Sequence, residues 1–484
     1  MVEKVTTYNT SSQAIRGVFW NNLASYVDTG VRFMGGIYLA RKIDPVYFGQ
    51  AGLAYSMVVI IGVATMFGQE YAIIRQRESV NRFVGTQLTL RMLAPLIICA
   101  ILVMVWRAKI LPIKSEIQYY ALLLYVTLAI MQITAIYTHY MQKMWMFRRL
   151  ALINIAVTVA SFALACSLAY YGYKIWVLLW LWMSTHLLRA FFTMIFTPRR
   201  ILPCFDLKMA IQFFQYGRFI FVTTLMSRVH GKIDDISIGT LVGNAALGFY
   251  QRAYGLCGLL QQVVTGGVMA VSGPVFGKMR GDRARLGRNF ELIGSLVLRI
   301  AIGGYVWMAL IIPDLIALMY GEKWLPAVPL FRLMLPYALV QSFSVILRDT
   351  HFIAGKPSLV ARIEGIELGS LSLLLFPLLL WKQAAGAAVA VDVSAIIGLG
   401  LLLYYLKPLG QFSIRRLFTN PLFAACISFA VFYFVADRLP VTGRLSRLAW
   451  HTSLFWIVFS GTLLLLEFGF WKRIYVRIRQ AMTS

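Results

Sequence analysis

Eleven arginine and lysine side chains sit inside stretches otherwise apolar enough to cross a membrane: Arg32, Arg91, Arg189, Arg218, Arg228, Lys232, Arg252, Arg299, Arg332, Arg348 and Arg362. A cation at bilayer depth costs at least about 2.5–3.5 kcal/mol on insertion scales, so it is kept where it faces a bundle interior or a wet cavity and meets an anion. Two readings compete for each residue. A long side chain near a span end snorkels to the interface, and that reading is favoured for Arg189, Arg218, Arg299, Arg332 and Arg362. Arg32, Arg91, Arg228, Arg252 and Arg348 lie deeper or within polar stripes. Together with Lys232 they are the candidate lining of an anion-binding cavity.

Spacing sharpens three of these. Asn21, Ser25, Asp28 and Arg32 stand at i, i+4, i+7 and i+11, one face of a helix, with Asp28 and Arg32 placed to pair. Arg228, Lys232 and Asp235 repeat the spacing beside His230 and Asp234, and Gly231 loosens the helix among them. A broken polar helix at membrane depth is a recurring way to build a substrate or ion site; the competing reading is the outer end of a span. Gln341, Ser344 and Arg348 share a third face. Acids within apolar runs are fewer and include Asp28, Glu70, Glu364, Glu367 and Asp392. Glu364 and Glu367, at i and i+3, read either as an ion-coupling pair or as neutralisers of a bundle arginine. Asp28 and Asp235 carry the same two readings, and Glu70 reads as structural.

The elements that position these residues are membrane helices. The chain has 484 residues, 60% hydrophobic and 13% charged, with a mean hydropathy of +0.72 and no stretch that reads as a soluble domain. Fourteen apolar runs have about the 20 residues needed to span a bilayer. They cover 17–40, 51–73, 84–106, 117–138, 150–171, 175–197, 213–239, 249–275, 289–312, 326–353, 359–381, 384–406, 419–436 and 449–470. The polar opening, Met1 to Arg16, lacks a signal-peptide core, so the first span is expected to be retained. With the N-terminus inside, the cytoplasmic segments hold 24 of the 46 Lys and Arg residues and the outer loops 11, which places both termini in the cytoplasm.

A weak repeat organises the spans. Gly49, Ile37, Ala54 and Tyr55 match Gly248, Ile236, Ala253 and Tyr254 at an offset of 199. Six runs start between the copies, so the halves share one orientation, a parallel repeat about the membrane normal. The expected division is a six-helix bundle in 1–200, a second in 201–406, and two further helices with a basic tail in 407–484. The net charge of +27 is scattered over short loops, which fits an anionic leaflet and disfavours nucleic acid. Cys99, Cys166, Cys204, Cys257 and Cys426 are far apart and read as packing residues, and the five histidines show no metal-ligand pattern. No metal and no cofactor is expected.

Three stretches resemble the polysaccharide transporter, or Wzx-type oligosaccharide flippase, branch of the multidrug/oligosaccharidyl-lipid/polysaccharide exporter superfamily. They are Leu39–Gly49, then Asp234–Gly239 running on through Ala246–Tyr250 to Tyr254, then Tyr320–Ala327. The resemblance spans about 15 to 405. It implies an all-α fold of two six-helix bundles facing a central cationic cavity, with two extra helices outside. It also implies a bacterial inner-membrane protein that flips undecaprenyl-diphosphate-linked oligosaccharide outward by alternating access, for O-antigen, capsule or exopolysaccharide, with a polymerase or export machinery as partner. Proton or sodium coupling stays open. A peptidoglycan lipid-precursor flippase ranks second. A cation or drug antiporter is disfavoured by the cationic spans. A membrane glycan polymerase is disfavoured by the short outer loops, and ATP drive by the absence of a phosphate-binding loop motif.

Overall fold

The computed structural model describes residues 10–65, 80–109, 113–198, 202–277, 283–406, 414–435 and 443–468, and Glu70 lies outside them. An apolar chain in lipid must satisfy its backbone internally, and a helix does so within one segment. The helices are α1 (Thr10–Lys42), α2 (Pro45–Val63), α3 (Val80–Arg107), α4 (Ser115–Lys143), α5 (Phe147–Tyr170), α6 (Lys174–Phe196), α7 (Leu207–His230), α8 (Ile233–Leu241), α9 (Asn244–Gly277), α10 (Arg283–Met319), α11 (Ala327–Leu333), α12 (Leu335–Ile353), α13 (Pro357–Leu406), α14 (Ile414–Val435) and α15 (Arg444–Leu466). No strand occurs among the described residues.

Each of the fourteen apolar runs overlaps these helices in its described residues. Among the described residues nine helices are long and apolar enough to cross a membrane, and α11 with α12, bent by 42°, makes a tenth. The helix α13 carries two runs. Lys382 and Gln383 leave helical geometry, Gln383 at φ 53°, and split it into arms 357–381 and 384–406. Gly386 lies against the Leu378 carbonyl and Gly398 against the Glu367 carboxylate, so the arms fold back on each other as a hairpin. The remaining three runs are α1, α7 with α8, and α9. They are less apolar because they carry the polar stripes of Asp28 and Arg32, of Lys232 and Asp235, and of Gln251 and Arg252.

Two compact units divide the chain, 1–248 and 249–484. In the first, α1 packs along α5, α5 and α4 pack on α6, and α2 joins α4, α6, α7 and α8. Its core includes Leu39, Ile43, Phe162, Ala165 and Val177. Asp206 caps α7 by accepting from the amides of Lys208 (2.9 Å) and Met209 (3.3 Å). In the second unit, α10 packs on α12, α14 and α15, and α12 on α13. Asp392 on the second arm of α13 accepts from the Tyr337 amide at 2.9 Å and so caps the start of α12. The repeat is visible in the helix boundaries. α1 ends at Lys42 and α2 begins at Pro45; 199 positions later α8 ends at Leu241 and α9 begins at Asn244.

Candidate anion-binding site

In the first unit a connected line of polar and aromatic side chains crosses five elements. It begins on α1, where the expected pair forms: Arg32 Nε donates to Asp28 Oδ2 at 2.7 Å. Thr158 on α5 donates to the other Asp28 oxygen at 2.6 Å. The carboxylate is thus held from two sides while the Arg32 side chain stays 48% exposed. Arg189 on α6 is half-buried, and its charge acts on both Asp28 and Arg32. Its Nε is buried with no hydrogen-bond partner. One turn earlier, His186 also has a buried, unpartnered ring nitrogen, Nδ1. Unpaired buried polar atoms of this kind are costly and mark a place where a polar ligand can repay the desolvation.

Aromatic rings carry the line onward. Trp182 packs edge-on to His186, centroids 4.1 Å apart, and Tyr55 on α2 packs edge-on to Trp182 at 5.2 Å. Lys232 lies over the Tyr55 ring, Nζ 5.7 Å from its centroid. Lys232 also pairs with Asp235 at 2.8 Å, and Ser56 donates to that same Asp235 oxygen at 2.8 Å. The helix does break where Gly231 suggested, α7 ending at His230 and α8 starting at Ile233. The break separates the expected trio: Lys232 and Asp235 stay together, whereas Arg228 is exposed at the end of α7.

The other candidate cations are engaged within their own units. Arg91 is buried on α3 and donates from Nη1 to the Gln132 carbonyl at 2.8 Å; the Gln132 side chain bonds Thr65 and the Gly62 carbonyl. That network ties α2, α3 and α4 together. Arg252 on α9 lies over two rings, its guanidinium carbon 4.8 Å from the Tyr320 centroid and 5.1 Å from that of Trp324. Arg348 donates to both oxygens of Glu367, at 3.0 and 2.9 Å, and to Gln341 at 3.3 Å. Glu367 is almost wholly buried and meets a bundle arginine in the fold, and Glu364 is half-buried beside it.

Two residues read as snorkelling behave differently. Arg189 joins the Asp28–Arg32 cluster. Arg299 forms a buried, two-pronged ion pair with Glu467, at 2.6 and 2.8 Å, and Asn420 adds a third bond to the carboxylate at 3.0 Å. The reason is the partner: Glu467 follows the end of α15, and α15 packs on α10. Sequence spacing does not signal that meeting. Trp182 and His186 were also missed. Their i, i+4, i+7 spacing with Arg189 was the available signal.

Comparison with known proteins supplies the frame for these residues. A family model described as "Polysaccharide biosynthesis protein" matches residues 38–329. The teichuronic acid biosynthesis protein TuaB of Bacillus subtilis is 28% identical over 130 residues, so the match spans 27% of that relative's length. The lipopolysaccharide biosynthesis protein WzxC of Escherichia coli is 20% identical over 334 residues, 68% of each chain. Among solved structures, a lipid II flippase MurJ in an inward closed conformation superposes with a TM-score of 0.73 at 14% identity, covering 92% of this chain and 99% of that one. An inward-facing MATE multidrug transporter of the MOP superfamily gives 0.57 at 14% identity, covering 79% of this chain and 95% of that one. These likenesses establish a MOP-type transporter fold.

Proposed function

We infer that this chain, which belongs to the polysaccharide biosynthesis protein family, is a flippase that carries undecaprenyl-diphosphate-linked oligosaccharide from the cytoplasmic to the outer leaflet. It is a transporter and not an enzyme. The observation that carries the reading is the meeting of Arg32 and Arg189, the latter with a buried and unpartnered Nε, beside the acid Asp28. A diphosphate is the ligand such a cluster suits, since each guanidinium gives charge-assisted, paired bonds to phosphate oxygens. A cation or drug antiporter would need the opposite field. The names of the two relatives, for teichuronic acid and lipopolysaccharide biosynthesis, support a polysaccharide precursor over a peptidoglycan one.

The cargo's sugars would pass with the diphosphate while the lipid tail stays in the bilayer. Lys and Arg placement supports cytoplasmic termini, and the two bacterial relatives support residence in a bacterial inner membrane. A polysaccharide polymerase is the natural downstream partner. Proton or sodium coupling would fall to the acids Asp28, Asp235, Glu364 and Glu367. The testing experiment follows the leaflet of the lipid-linked oligosaccharide in cells lacking the protein, complemented with wild type, Arg32→Ala, Arg189→Ala or the exposed Arg332→Ala at matched abundance. Accumulation on the cytoplasmic leaflet, relieved by wild type and Arg332→Ala only, is the expected result. Normal sidedness in the deleted strain would sink the flippase reading.

A further inference from the structure

We propose that Tyr55, Trp182 and His186 form the surface that reads the sugar next to the diphosphate, a glycan-recognition site set between the cations of the first unit. The proposal rests on the flippase reading and deepens it. The three side chains are contiguous and half-buried, so each ring is packed on one side and accessible in part. Their place in the line matters most. At one end stand Arg189 and Arg32, at the other Lys232 over Tyr55, and the aromatic rings fill the interval between them. A lipid diphosphate has one strongly charged group, and the pyranose that follows it offers hydroxyls on its rim and C–H bonds on its faces. The interval between these two ends offers the complement: ring faces and edges to pack on, and a hydrogen-bonding atom without a partner.

That atom is His186 Nδ1, buried and unpartnered, on the helix that also carries Trp182 and Arg189. The spacing 182, 186, 189 puts all three on one face of α6, so the ring that meets the sugar and the guanidinium that meets the phosphate share a rigid support. Packing between α2 and α6 alone would account for the Tyr55–Trp182 contact. It would not account for a buried imidazole nitrogen with nothing to bind, whose desolvation a sugar hydroxyl would repay. Specificity arises here because a hydrogen-bonding site rejects an analogue that leaves its buried polar group unpaired.

The test measures binding to the full-length protein in lipid nanodiscs with two probes. These are the lipid-linked oligosaccharide that accumulates in cells lacking the protein, and bare undecaprenyl diphosphate. Wild type should prefer the glycosylated probe. Trp182→Leu, which keeps apolar bulk without a π-face, should cut that preference by roughly tenfold and leave binding of bare undecaprenyl diphosphate unchanged. Trp182→Phe should retain most of it, and His186→Ala should lose it as Trp182→Leu does. A preference unchanged in Trp182→Leu and His186→Ala would overturn the proposal, as would an equal loss of both probes. Wild type that binds neither probe would overturn the flippase reading itself, an outcome separable from the others.

Discussion

Gly49 and Gly248, the two glycines related by the 199-residue repeat, touch each other: a Cβ built on Gly248 would lie 3.3 Å from the Gly49 amide nitrogen and would collide with the Pro45 carbonyl. A Cβ on Gly49 would in turn collide with the Asn244 carbonyl. The first turns of α2 and α9 therefore cross backbone to backbone, and only glycine leaves room at either position. Both glycines are helical, so the constraint is space and not φ. Gly49→Ala and Gly248→Ala should each lower stability by about 1–3 kcal/mol, the cost of overpacking a close contact. Gly36→Ala, where a Cβ would meet nothing within 4 Å, should be neutral or gain from helix propensity. Thermal unfolding in detergent by circular dichroism separates the three, and equal melting temperatures would refute the crossing.

The Arg299–Glu467 pair should behave as a buried ion pair, with side chains only 7% and 3% exposed. Breaking one partner leaves the other charged and unpaired, so Glu467→Gln should cost about 3–5 kcal/mol. Replacing both, as Arg299→Met with Glu467→Leu, should recover most of that loss. Because Asn420 on α14 shares the carboxylate, the pair joins α10, α14 and the end of α15. Limited proteolysis of Glu467→Gln should accordingly cut within 414–468 before any other segment. Cleavage first in the 1–248 unit would show that the pair does not hold the last two helices.

Loss of Arg348 and loss of Arg189 should be distinguishable. Arg348 neutralises Glu367, which sits against Gly398 across the α13 hairpin, so Arg348→Ala should lower stability and cell abundance by stranding a buried carboxylate. Arg189 has a buried Nε with no partner, so Arg189→Ala should leave abundance near wild type and remove transport. Quantitative blotting of membranes beside a transport measurement reads both quantities. Equal abundance for the two variants would place Arg348 with the transport residues.

The sequence makes the helices and the local pairs legible, because both follow from spacing along one segment. Asp28 with Arg32 and Lys232 with Asp235 are close in the chain and are paired in the fold. What spacing cannot reach is a partner on a different helix. Arg299 finds Glu467, Asp28 finds Thr158, and Asp235 finds Ser56 only once the helices are packed. A buried arginine therefore looks the same in sequence whether it is neutralised like Arg348 or open like Arg189. The aromatic side chains Trp182 and Tyr55 were illegible for a related reason: in an apolar run an aromatic residue has no contrast with its neighbours.

Asp28 tests how the anion site releases what it binds. Its carboxylate lies between the Arg32 guanidinium and the Thr158 hydroxyl, and Arg189 acts on it as well. At contact distance one unit of opposite charge is worth about 1–4 kcal/mol, depending on how much water screens it. The acid therefore weakens the hold of the two arginines on any phosphate, and a carrier must bind weakly enough to let go. Asp28→Asn keeps the shape and the Thr158 contact but removes the charge. It should bind bare undecaprenyl diphosphate roughly tenfold more tightly, by the same electrostatic argument, while flipping the lipid-linked oligosaccharide more slowly than wild type. Thr158→Ala, which removes one tether but keeps the charge, should change affinity much less. If Asp28→Asn instead weakens binding along with transport, the acid's role is to aim Arg32, and the release argument falls.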